Sequence, residues 1–184
     1  MGTWAVFGGS FDPPHVAHQQ AVLWVLETRA VERVLVVPVF RHVFDKAHTA
    51  WADRLEMCRR AMAPLGDRVE VSTIEEELGG DSKTLHTLEA LAARHPDVAW
   101  RLVVGTDIQA ETAKWHRWDE VVRRAPPIWL TRPGHPVGDS PPMAEISSTA
   151  IRARLGRGED VSALVPARVV DYLRERRLYP GGPA

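Results

Sequence analysis

The chain has one cysteine, Cys58, among 184 residues. A lone thiol excludes an internal disulfide and fits a reducing compartment such as the cytoplasm. Net charge is also nearly absent: 23 Lys and Arg stand against 24 Asp and Glu, leaving −1 at pH 7. Bulk charge therefore offers no footing for a nucleic-acid partner. Any phosphate chemistry must come from positive groups set in particular places. No apolar run approaches the roughly 20 residues of a membrane span, and no basic segment leads into an apolar signal core. Three fingerprints are missing as well: the dinucleotide GxGxxG, the P-loop GxxxxGK[ST] and the GxSxG nucleophile elbow. Nothing repeats. The composition that remains, 45% hydrophobic and 26% charged, describes an ordered globule long enough for one domain with a real core.

Apolar runs rich in β-branched residues alternate along the chain with amphipathic stretches. Strands are expected at residues 3–7, 33–39, 68–74, 100–105 and 126–131, the second almost wholly apolar, as a strand covered on both faces should be. Helices are expected at 16–30, 49–63, 84–95, 147–155 and 166–178, each with apolar positions recurring at helical spacing. Cys58 falls on the apolar stripe of the second, beside Leu55 and Met62. Strands alternating with helices at short intervals predict a Rossmann-like, doubly wound parallel α/β sheet of about five strands. The helical segment of about 147–178 should pack on it within one domain spanning 1–184. The stretch RPGHPVGDSPP, 132–142, reads as a surface loop.

Two short stretches carry chemistry. In GGSFDPPHVAH, residues 8–18, Gly8 and Gly9 let the chain turn and let a ligand approach the backbone. Ser10 adds a hydroxyl, and Asp12 can close a turn before Pro13 and Pro14. Proline favours a helix's first turn, so DPPH marks a loop-to-helix junction. His15 and His18 then share one face near a helix N-terminus, where free N–H groups already favour an anion. The plain alternative is a surface pair. A zinc site fits poorly, because the metallopeptidase spacing is i,i+4 with an intervening Glu. In ISSTAIR, residues 146–152, Ser147, Ser148 and Thr149 can cap a helix, with Arg152 one turn further in. The plain alternative here is an ordinary cap with a solvated arginine.

Together these stretches resemble the paired motifs of the nucleotidylyltransferase superfamily, G-[TS]-F-D-P-x-H-x-[GA]-H and I-S-S-T-x-I-R. VVGTD (103–107), WHRWDEVVRRAPPIWLTRPG (115–134) and LVPARVVDYLRERRLY (164–179) are similar, in order, to the corresponding stretches of bacterial nicotinate-nucleotide adenylyltransferases. The resemblance covers nearly the whole chain. It implies an enzyme of NAD biosynthesis that joins ATP and nicotinate mononucleotide with Mg²⁺, by direct in-line transfer, giving nicotinate adenine dinucleotide and pyrophosphate. Its partners would be ATP and a pyridine mononucleotide, not nucleic acid or membrane. By position, His15 and His18 would contact the ATP phosphates, with Lys46 near the reacting groups. Gly8, Gly9, Ser10 and Phe11 would line the nucleotide pocket with backbone. Ser147, Ser148, Thr149 and Arg152 would hold the leaving phosphates, and Gly105 and Asp107 would meet the ribose or adenine. Trp115 would stack on the pyridine ring, with Thr84 and the N–H groups near it and near His116 on the carboxylate. Arg132 would meet the mononucleotide phosphate.

The chain departs from this family at three places. SKTLHTL (82–88) puts Lys83 and His86 where tyrosine and aspartate are usual, RHVFDKA (41–47) replaces P-P-H-K, and Ala17 replaces glycine. The first two bear on the acceptor. They leave open the amide mononucleotide, another phosphomonoester such as phosphopantetheine, or a nucleotide-binding regulator without turnover.

Overall fold

The structure is a computed structural model and describes residues 2–41, 49–80 and 83–180. Five strands form one parallel sheet: β1 (Gly2–Gly9), β2 (Arg33–Pro38), β3 (Val69–Val71), β4 (Val98–Gly105) and β5 (Pro127–Leu130), in spatial order β3-β2-β1-β4-β5. The apolar strands alternate sides. Ala5, Phe7, Val34, Val36 and Val103 enter one core, against α1 (Val16–Thr28), α2 (Trp51–Met62), α6 (Ser148–Gly156) and α7 (Ala167–Arg176). Val6, Leu35, Val37, Leu102 and Val104 enter the other, against α3 (Ile74–Leu78), α4 (Thr84–Arg94) and α5 (Trp118–Arg124). Covering on both faces explains the unbroken apolar run of β2.

The chain steps outward from β1 to β3 through helices on the first face. It then returns to β4 and β5 through helices on the second. Right-handed crossovers require this change of face when the direction reverses. The reversal lies between β1 and β4, where Phe7 pairs with Val103 and the strands end at Gly9 and Gly105. In such sheets ligands bind beyond these carboxyl ends.

Several elements differ from expectation. The third strand is cut to Val69–Val71 because Ser72 turns the chain: its Oγ accepts the Ile74 N–H at 3.3 Å, and a short helix starts there. The pattern had not marked α3, α5 or the 3₁₀ segment Thr106–Lys114. Pro13 and Pro14 precede α1 instead of sitting in its first turn. His15 is the N-cap, and the first helical amide, Val16 N–H, is satisfied by the Leu164 carbonyl at 3.0 Å. Among the described residues no helix is long and apolar enough to cross a membrane.

Candidate active site

The loop leaving β1 folds back on itself. A side chain at Gly9 would press on the Phe11 ring, with its Cβ 3.1 Å from the nearest ring carbon. Phe11 has a left-handed backbone, φ 49°, and its ring is buried edge-on to Phe7 (5.6 Å) and His18 (4.8 Å). Only its backbone is left for the cleft, and its ring is a floor under His18. His15 and His18 stack at 3.7 Å with 21° between their planes. The His15 N–H donates to His18 Nδ1 at 3.1 Å. In the neutral ring His18 therefore carries its proton on Nε2. Burial, reinforced by the charge of Arg132, holds the His15 imidazole down at about 4. Burial pushes His18 well below the usual histidine range too, with His15 and Arg132 adding to it. At neutral pH the pair offers N–H dipoles, not charges.

The second motif meets the first directly. Ser147 caps α6, its Oγ accepting the Ala150 N–H at 3.1 Å. Ser148 Oγ donates to the Pro13 carbonyl at 2.9 Å. Arg152 Nη1 donates to the Asp12 carbonyl at 2.7 Å, and its Nη2 reaches Thr149 Oγ1 at 3.4 Å. Arg152 is thus fixed against the histidine loop, unlike a solvated surface arginine. The starts of α1 and α6, from opposite ends of the sequence, share one mouth. Each leaves N–H groups without a helical partner.

Asp107 curls over Gly105, and the Arg132 side chain lies on the same glycine. Arg132 N–H donates to Thr106 Oγ1 at 3.0 Å, and its Nη2 to the Ile146 carbonyl at 3.4 Å. With Asp107, His135, Ser147 and Arg154 it lines a cavity of about 460 Å³. Arg132 therefore shares a cavity with Asp107 and Ser147, which the resemblance sets on the ATP side, whereas it sets Arg132 at the mononucleotide phosphate. The residues that the resemblance sets on the acceptor side lie on the other face of the sheet. Thr84 opens α4, and His86 approaches His116 edge to face at 5.7 Å. Trp115 lies half-buried against Trp118 at 5.3 Å, which in turn meets Trp129 at 6.1 Å. Glu75, Lys83, His86 and Thr87 line a cavity of about 450 Å³. Lys46 lies outside the described residues.

Sequence reasoning missed Arg54 and the distant partners of Asp12 that hold this loop. Arg54 is buried and donates to the carbonyls of Ser10 (3.0 Å), Val39 (2.7 Å) and Thr49 (3.0 Å). Asp12 is buried; its carboxylate accepts the Thr49 N–H at 3.2 Å and the Tyr179 hydroxyl. A signal for Arg54 existed: it sits on the buried side of an amphipathic helix beside Leu55 and Cys58. Cys58 is fully buried, and burial pushes its thiol up, away from nucleophilic use. Among the described residues no three His, Cys, Asp or Glu side chains gather as a metal cage.

Comparison with known proteins matches residues 6–154 to the cytidylyltransferase-like family model. A curated relative from Anaeromyxobacter dehalogenans strain 2CP-C, called a probable nicotinate-nucleotide adenylyltransferase, is 54% identical over 181 residues, covering 96% of each chain. One of the same name from Myxococcus xanthus is 40% identical over 177 residues, 95% of this chain and 93% of its own. Among solved structures, the nicotinic acid mononucleotide adenylyltransferase of Plasmodium falciparum, complexed with NaAD, superposes with a TM-score of 0.85. It is 18% identical and covers 97% of this chain and 98% of its own, a likeness of fold.

Proposed function

The chain belongs to the nicotinate-nucleotide adenylyltransferase family, and on that premise we propose that it transfers the adenylyl group of ATP to nicotinate mononucleotide in NAD biosynthesis. An oxygen of the mononucleotide 5′-phosphate attacks the α-phosphorus of ATP. The bond from that phosphorus to the β-phosphate oxygen breaks, and pyrophosphate leaves as nicotinate adenine dinucleotide forms. The deeply buried Cys58 and the cluster of imidazoles, guanidinium and helix starts favour one direct displacement, driven by positioning and charge stabilisation.

The observation that carries this reading is the joining of α6 to the histidine loop through Ser148 and Arg152. It sets two helix N-termini, two imidazoles and a guanidinium around one mouth, which suits a triphosphate. In this reading His18 Nε2–H and His15 act on the α-phosphate. The amides of α6, Thr149 Oγ1 and Arg152 Nη2 hold the departing β- and γ-phosphates, with Arg132 close by. Gly105 and Asp107 face the nucleoside. Thr84, Trp115 and His116 take the pyridine ring and its carboxylate, and Lys83 and His86 add positive or donating groups beside an acid. The donor set fits Mg²⁺ arriving on the triphosphate oxygens, as Mg²⁺ prefers, without a cage of protein ligands. A cytoplasmic setting fits the single buried thiol. The sharing of one core by α6, α7 and the sheet supports a single nucleotidylyltransferase domain over 1–184.

The test is pyrophosphate release from MgATP with a panel of phosphorylated acceptors. Release should be fastest with nicotinate mononucleotide. Equal or faster release with the amide would remove the acid preference, and ATP binding without release on any acceptor would support a regulator instead.

A further inference from the structure

We propose that Tyr179 is a positioning residue for the imidazole pair, acting through Asp12; the proposal rests on the adenylyl-transfer reading of the site. Tyr179 lies far from the histidines in sequence. Helix α7 ends with Arg177 in the left-handed region, φ 50°, closed by a 3.0 Å bond from Leu178 N–H to the Leu173 carbonyl. This is the six-to-one closure of a helix C-terminus. Tyr179 is itself left-handed, φ 55°. Two side-chain-bearing residues in that region within three positions are uncommon and persist only where surrounding contacts hold them. The contacts are visible: Leu178 and Tyr179 pack on the core beneath α1 and α2, and the phenol donates to Asp12 Oδ1. Burial and that hydrogen bond both push the phenol up, so it remains a donor.

Asp12 passes this hold to the reacting groups. Its other carboxylate oxygen accepts the Thr49 N–H at 3.2 Å, and its carbonyl accepts Arg152 Nη1 at 2.7 Å. Three residues later the His15 N–H fixes His18 Nδ1 at 3.1 Å. Tyr179, Asp12, the His15 amide and the His18 ring thus form one connected path. Removing the hydroxyl takes away one of the bonds that hold the Asp12 carboxylate and gives the loop slack. A displacement well under an ångström at His18 reaches the chemical step before it reaches ATP affinity, because the contact matters most in the transition state.

The experiment uses the full chain with Y179F, D12A and the double variant. In Y179F, kcat should fall about tenfold with KM for ATP changed less than about threefold. In the D12A background, where no side-chain oxygen is left to accept the phenol, Y179F should cost nothing further. In parallel, the imidazole NMR signals of His15 and His18 should shift in Y179F, while those of His86, His95, His116 and His135 stay in place. An unchanged kcat in Y179F, or losses that multiply in the double variant, would overturn the proposal. If the unaltered protein releases no pyrophosphate, the functional reading fails separately, and the imidazole signals then decide: unmoved His15 and His18 signals reject the role of Tyr179.

Discussion

His15 and His18 show how burial changes what a residue type can do. An exposed imidazole pair would attract phosphate partly by charge, but here burial keeps both rings neutral at pH 7. The cost appears at acid pH. With its folded value near 4 against 6.5 unfolded, His15 binds a proton in the unfolded chain before it does in the folded one. The stability it contributes is complete above about pH 6.5 and is lost as pH falls towards 4, on the order of 3 kcal/mol. His18 shifts in the same direction. Urea unfolding at pH 7 and pH 4.5 should therefore show a smaller acid loss in His15→Gln than in the parent, and equal losses would reject the account. For catalysis, His18→Ala should lower kcat by about 10²-fold or more, the scale of removing one preorganised donor, with a much smaller change in the Kd for ATP. Stopped-turnover kinetics beside a binding titration separates the two, and matched losses would place His18 in ground-state binding.

Helix α2 acts on the site from behind. Its outer face carries Arg59 and Arg60, while its inner face buries Cys58, Met62 and the guanidinium of Arg54. Arg54 gathers carbonyls from the loop after β1 and from residues 39 and 49, with Asp12 and Glu75 as the nearby negative groups. Arg54→Met keeps the apolar fit but strands these carbonyls. It should cost about 3 kcal/mol, the low end for breaking a buried charged group, lowering Tm by roughly 6–12 °C for a chain of this size. Thermal melting checks it, and a Tm within about 2 °C of the parent would show that water replaces the guanidinium. The outer wall of the same element is less demanding: Arg60 pairs with Glu56 at 2.8 Å in the open, a contact of small worth.

At the scale of the molecule, the sheet was largely legible because each central strand announces two-sided burial in its residues. The capping serines of α6 were legible because a cap is a local matter. The start of α1 was only partly so: its first amide is satisfied by Leu164, and no nearby sequence reveals a partner so far along the chain. The same holds for Arg54, Asp12 and Tyr179, whose partners lie in other segments. Ile74 looked like the end of a strand because its apolar character suits either state, and the Ser72 turn decided it. Trp115 shows the opposite ambiguity: its ring meets Trp118 at 5.3 Å, a packing contact, while part of it stays exposed.

The meeting of α1 and α6 also orders events in time. On the ribosome, residues 8–18 emerge early and β1 has only β2 to pair with. Its other neighbour, β4, follows 96 residues later by the register of Gly2 with Val98. The mouth closes only after Ser148 and Arg152 have been made. A nascent chain therefore lacks the joined mouth until Arg152 has followed the histidine loop out.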